Sequence, residues 1–199
     1  MPERERWSPT HVPLVLASAS PRRRWLLEKL AVPFEVLGVD LEERVREGEA
    51  PDAFAQRMAD EKAATAHAQR PRSWILAADT VVAVDGLALG KPRDADEATA
   101  MLARLSGRPH TVHTGVVLLR PEGDAAARAA VATRVTFRTL EPPEIASYIA
   151  TGEPFDRAGA YAIQGEGAHL IDRVQGSYTN VIGLPLPEVA AWLRAWRLR

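Results

Sequence analysis

Three arginines in succession, Arg22, Arg23 and Arg24, follow Ser20 and Pro21 in the stretch LVLASASPRRRWLLEKL. Serine before proline marks a helix start, because the serine oxygen can cap free backbone amides and proline lacks the N–H that would go unpaired there. A helix start is already partly positive, and each cation placed on it costs about 0.3–1 kcal/mol. The run is explained by a polyanion held by backbone amides and guanidinium forks, or by a solvated basic corner paired with nearby acids. Lys62 is the second candidate. On a helix predicted from about Pro51 to Gln69 it lies four residues after Met58 and four before Ala66, on the same face as Ala55, Ala59 and Ala63. It either extends to solvent or reaches into a cleft to meet an anion. Asp79 is the third. It closes the apolar run WILAAD, where a carboxylate is expensive unless it binds metal or accepts hydrogen bonds. Ligands of α/β sheets gather at strand C-termini, although Asp is also common in ordinary turns there. Glu42 and Glu43, in a charged loop, gain interest as Mg²⁺ partners alongside phosphate oxygens. Lys91 stands between Gly90 and Pro92, with its backbone held and its side chain free.

Other chemistries are absent. The chain has no cysteine, which removes disulfides, thiolate nucleophiles and Cys-based zinc sites and makes a reducing cytoplasm the expected setting. The basic run does not fit G-x-x-x-x-G-K-[ST], and no G-x-S-x-G elbow occurs. The five histidines, His11, His67, His110, His113 and His169, lack metal spacing and read as structural or exposed. Net charge is -1, and the five tryptophans do not alternate with basic residues, so nucleic acid is not an expected partner.

The elements that would position these residues alternate along the chain. PLVLAS reads as a buried strand, FEVLGV (34–39) as a second, and SWILAAD continuing into TVVAVDG as a third. DADEATAMLARL reads as a helix stopped by Gly107. HTVHTGVVLLR and RAAVATRVTFRTL suit long antiparallel strands, with PEGDAAARAA (121–130) as the connection. PPEIASYIA is a short helix, and residues 152–184 are mostly loops and short strands. PLPEVAAWLRAWRL closes the chain as an amphipathic helix with Leu186, Val189, Ala190, Leu193 and Trp196 inward. Strands interleaved with helices, plus one long hairpin, imply a mixed α/β sheet. At 199 residues and 46% hydrophobic, the chain suits one folded domain over 14–199. Residues 1–13 carry acids and prolines without an apolar core and read as an extension, not a secretory signal. No apolar run approaches the roughly 20 residues of a membrane helix.

Six motifs in order, ASASPRR (17–23), AADTVV (77–82), GKPRDADEA (90–98), LSGRPHTVHTGV (105–116), TGEPFDRAGAYAIQG (151–165) and GSYTNVIGLPL (176–186), resemble the Maf family of nucleoside triphosphate pyrophosphatases. The resemblance covers about residues 14–198. It implies an elongated mixed β-sheet with flanking helices and a deep cleft between two lobes, similar to inosine triphosphate pyrophosphatases. It also implies a homodimer and a divalent cation, Mg²⁺ or Mn²⁺. The implied reaction is metal-assisted attack of water on the α-phosphate, giving the monophosphate and pyrophosphate.

By the same resemblance Asp79 matches the proton acceptor, and Ser18, Arg22, Arg23, Glu43, Lys62 and Lys91 match other cleft residues, with Glu43 and Asp79 toward the metal. Arg22, Thr80 and Gln164 match the positions that mark the branch acting on dTTP and UTP rather than on 7-methyl-GTP. A glutamine amide can both donate to and accept from the O4/N3–H edge of thymine or uracil. Two residues depart from the family pattern: Ala162 replaces a usual glycine and Arg157 a usual lysine. The first could tighten the base pocket. A modified pyrimidine nucleotide as the true substrate stays open. So does a nucleotide-sensing role in cell division and septum formation with little turnover.

Overall fold

The computed structural model describes residues 12–198. Of the 1–13 extension, only Val12 and Pro13 fall among them; His11 lies outside. The elements are β1 (Leu14–Leu16), α1 (Pro21–Glu28), β2 (Glu35–Val36), α2 (Pro51–Gln69), β3 (Trp74–Val84), β4 (Leu87–Leu89), α3 (Ala95–Leu105), β5 (Pro109–Leu119), β6 (Ala125–Phe137), α4 (Pro142–Ala150), β7 (Ile171–Gln175), α5 (Tyr178–Ile182) and α6 (Leu186–Ala195), with three 3₁₀ turns between α4 and β7.

The seven strands form one mixed sheet in the order β2-β1-β3-β5-β6-β7, with β4 also paired to β3. β1 runs parallel to β2 and β3, and every other pair is antiparallel. β3 is longer than its neighbours on one edge. β1 covers Trp74 to Leu76 and β4 covers Val82 to Val84. The stretch between them, Ala77 to Val81, has no strand partner on that edge. Its other edge is fully paired, with Asp79 opposite Gly115 and Thr80 opposite Thr114.

Strand alternation sorts the core. Leu76 and Ala78 pack with Leu26, Leu27, Leu184 and Leu193 on one face; Ile75 and Ala77 pack with Ala59, Ala63 and Ala66 of α2 on the other. A third cluster gathers α3 and α4 around Phe137, Leu102 and Leu105 at the far end of the sheet. Helix α2 lies close on the sheet because both surfaces are small. A methyl group built on Gly115 would stand 2.4 Å from the carbonyl oxygen of Ala55, so only glycine admits the helix there.

Several expectations needed correction. FEVLGV pairs only through Glu35 and Val36, both exposed, because β2 is an edge strand with a single neighbour. Within 121–130 the turn is confined to Pro121–Asp124, closed by Arg120 and Gly123, and the alanine-rich remainder is already β6. Trp196 is 38% exposed, since α6 ends before it; its ring leans on Trp74 and carries Arg120 above it. Asp79 does not end its strand: β3 continues to Val84.

Candidate active site

On α1, Ser20 accepts from the Arg23 amide and Pro21 fills the first turn. Arg23 precedes Leu26 and Leu27 by three and four residues and so shares their inward face. Burying those two leucines is worth about 1.5–3 kcal/mol each. That outweighs the dipole penalty of the arginines at about 0.3–1 kcal/mol each, so the helix forms here without a bound anion. Arg24 points away and pairs with Glu28 at 3.0 Å on the exposed surface, so the three arginines do not act as one cluster.

The Arg23 guanidinium is fixed on three sides. Nε donates to the Gly183 carbonyl at 2.8 Å, Nη2 to Thr80 Oγ1 at 3.1 Å, and Nη1 to Ser18 Oγ at 3.3 Å. Burial lowers its pKa, while Asp79 and Glu43 oppose the shift. Thr80 is held in turn by Thr114 at 3.0 Å, which donates to the Asn180 carbonyl. Asn180 is wholly buried and donates to Val112 O and Thr133 Oγ1.

Asp79, one residue from Thr80, faces the other way, toward α2. Lys62 Nζ donates to Asp79 Oδ1 at 2.5 Å and to Glu43 Oε1 at 2.6 Å. The lysine therefore reaches into the cleft instead of snorkelling, held there by two carboxylates. Burial raises the pKa of Asp79 above the ordinary carboxylate range; Lys62 and then Arg23 pull it down, and Glu43 adds to the rise. Removing one partner from such a buried pair leaves an uncompensated charge.

Ser18, Arg23, Glu43, Lys62, Asp79 and Thr80 line one cleft of about 580 Å³, together with Arg22, Lys91 and Gln164. At its mouth Arg22 donates to the Asp156 carbonyl at 3.1 Å and Lys91 meets the Asp156 carboxylate at 3.5 Å. Burial lowers the Arg22 pKa, with Asp156 and Glu153 opposing. Both departures from the family pattern are here as well. Ala162 lies beside Gln164, its amide donating to the Tyr148 hydroxyl, and Arg157 has a buried Nε without a partner among the described residues. Asp156, Thr114 and Asn180 were not singled out from the sequence. All three sit inside the ordered motifs, but nothing in a loop acid, a strand threonine or an asparagine between apolar residues signals a site by itself.

Five cations and four acids line the cleft: Arg22, Arg23, Lys62, Lys91 and Arg157 against Asp40, Glu43, Asp79 and Asp156. Among the described residues no three His, Asp or Glu side chains gather to hold a metal alone. The donor set does fit a hard divalent cation of the Mg²⁺ kind, which takes one or two carboxylates and completes its shell with phosphate oxygens and water. Asp79 and Glu43, drawn together on one ammonium, would be the carboxylates of such a shell. His110, under the cleft wall, is neutral. Its Nε2 meets Tyr161 Oη at 2.8 Å, and burial pushes its pKa down to about 4.

Comparison with known proteins agrees with the motifs. The family model described as Maf-like protein matches residues 13–196. The chain is 53% identical over 180 residues to a dTTP/UTP pyrophosphatase of Myxococcus xanthus, covering 90% of each. It is 49% identical to one of Citrifermentans bemidjiense, covering 91% of this chain and 94% of the relative. A crystal structure of a nucleoside-triphosphatase, dITP/XTP pyrophosphatase, from Mycobacterium abscessus is a distant likeness, with a TM-score of 0.47 and 19% identity over 94% of this chain and 97% of that one. With its model spanning nearly all the described residues and its motifs converging on one cleft, the chain belongs to the Maf family.

Proposed function

We propose that the cleft is the active site of a nucleoside triphosphate pyrophosphatase that converts dTTP and UTP to the monophosphate and pyrophosphate. The observation that carries this is the sharing of Lys62 between Asp79 and Glu43 on the cleft floor, one residue from the Thr80 that helps fix Arg23. Relatives about half identical over nearly the whole chain, and named dTTP/UTP pyrophosphatase, support the substrate pair.

Each residue has a role that its surroundings permit. Arg22, Arg23, Lys62 and Lys91 bind the phosphate oxygens and align the triphosphate. Ser18 and Thr80 hold the Arg23 fork, and Gln164 offers its amide to the base. Asp79, with a raised pKa, takes the proton from the attacking water as pyrophosphate leaves. No covalent intermediate is required; alignment and charge stabilisation supply most of the acceleration. Asp79 and Glu43 would hold a divalent cation, which would supply positive charge to the phosphate oxygens. The cleft has only one cation more than it has acids, and a triphosphate brings more negative charge than that excess balances.

The test is purified protein with Mg²⁺ or Mn²⁺ against all canonical NTPs and dNTPs, plus modified pyrimidine nucleotides. Pyrophosphate with dTMP or UMP as the preferred products bears the reading out. Orthophosphate with the diphosphate as products overturns it. Tight binding with negligible turnover favours a nucleotide-sensing regulator instead. A homodimer is expected in solution and is read by sedimentation. Among the described residues no helix is long and apolar enough to cross a membrane, and a cytoplasmic location is part of the proposal.

A further inference from the structure

Glu43 is placed by a loop without regular structure. Residues 37–50 connect β2 to α2, and their one local turn is at Arg46–Glu49. The Glu43 carboxylate is half exposed, although the Lys62 ammonium it meets is buried. Leu37, Val39 and Leu41 of the loop are partly buried against the core, so apolar packing helps to order it. One polar group beside Glu43 adds to that packing and ties the loop to α2.

That group is Arg57, on the second turn of α2. Its Nε and Nη2 grip both oxygens of Glu49 at 2.6 and 2.7 Å. Nη2 also donates to the Arg44 carbonyl at 2.8 Å, one residue beyond Glu43, and Nη1 to Glu61 at 2.9 Å. The guanidinium lies over the Phe54 ring, with its carbon 5.4 Å from the ring centre. The Arg57 and Glu49 side chains are 17% and 10% exposed, so this is a largely desolvated, bidentate pair. The fork thus ties the loop at two points, at Arg44 beside the candidate site and at Glu49 where the loop enters α2.

We infer that Arg57 is a positioning residue: its clamp on Arg44 and Glu49 holds the 42–49 loop on α2 and sets the Glu43 carboxylate beside Lys62 and Asp79. The inference rests on the reading of Glu43 as part of the active site. Lysine cannot replace Arg57, because a single ammonium lacks the planar fork that meets two carboxylate oxygens and a carbonyl together.

The test combines a double-mutant cycle with proteolysis. Trypsin can cut after Arg44 and Arg46, and both sites remain when Arg57 is changed. In Arg57→Ala and Glu49→Gln, cleavage there is expected to be at least about tenfold faster than in the wild type, scored by mass, because the first loses both ties and the second loses the charged bidentate one. Supporting groups around metal ligands typically change affinity or activity about 10–100-fold, and kcat/KM for dTTP should fall within that range. Arg57→Lys should not rescue it. In a Glu43→Gln background, Arg57→Ala should then cost less than about threefold further. An equal loss in both backgrounds, or unchanged cleavage, overturns the inference. If Arg57→Ala does not fold, Glu49→Gln carries both measurements, since it keeps the arginine. Full turnover in Glu43→Gln alone would remove the reading of Glu43, and the catalytic part of the inference with it, whatever the proteolysis shows.

Discussion

On the cleft floor Lys62 meets Asp79 with side chains 9% and 6% exposed, whereas at the mouth Lys91 meets Asp156 with side chains 62% and 72% exposed. Both are lysine–aspartate pairs, yet they serve different ends. Lys62 and Asp79 stand on regular elements, α2 and β3, and the groups beside them are held in turn: Thr80 by Thr114, Arg23 by Gly183 and Ser18. Lys91 and Asp156 stand in a loop and a 3₁₀ turn and are exposed. A buried group without its partner is left with an uncompensated charge, so the floor has one arrangement. An exposed pair contributes little and exchanges readily with a ligand's oxygens, so the mouth suits a triphosphate entering and leaving.

Breaking the floor should therefore have the largest effect. Asp79→Asn keeps shape and removes the base, and kcat should fall about 10²–10⁴-fold in a pyrophosphate-release assay. Near-normal turnover would remove Asp79 from the role. The same residue sets a pH limit. Burial raises its pKa in the metal-free protein, whereas a divalent cation bound beside it would lower it, so the acid limit of activity should move to lower pH as Mg²⁺ is raised. Stability runs the opposite way. The folded chain binds this proton more tightly than the unfolded chain, so Asp79 favours folding most at acidic pH and less as pH rises through its raised pKa. A pH profile and a thermal melt across the same range would separate the two signs.

Arg23→Lys comes next. It keeps the charge but cannot span Gly183, Ser18 and Thr80, and a lost buried partner costs about 1–3 kcal/mol, which is about 5–150-fold in kcat/KM. A change of less than twofold would mean the fork is not needed. The smallest effect is expected at the mouth. Asp156→Asn should move KM by less than about fivefold and leave Tm nearly unchanged, and raising salt should shrink the difference further. A loss as large as that of Arg23→Lys would erase the distinction between floor and mouth.

How much of this was legible depends on the range of the interaction. Helix α2 was readable to the residue, because Pro51 and the alanine spacing are local signals, and Lys62 on its apolar stripe was visible for the same reason. The β5–β6 pair was visible as two β-rich runs flanking a turn. Arg24 could not be separated from Arg22 and Arg23 by type. Only the rotation of α1, set by burial of Leu26 and Leu27, sends it to Glu28. Arg57 gave no signal at all, since an arginine on a helix beside Glu61 looks like any solvated pair.

By itself the sequence determined the element types, the order of six motifs and the chemistry on offer: cations at a helix start, a lysine on an apolar face, an acid in a buried run. Those follow from local backbone preferences and from the periods of helix and strand. Only the tertiary structure decided where the cleft opens. β1 stops at Leu16 and β4, running antiparallel, reaches only to Leu89 opposite Val82, which leaves Ala77 to Val81 bare along one edge of β3, with Asp79 turned to α2 and Thr80 to α1. That gap arises from pairing between segments some sixty residues or fewer apart in the chain, and no local preference encodes which part of a long strand its neighbours will leave uncovered.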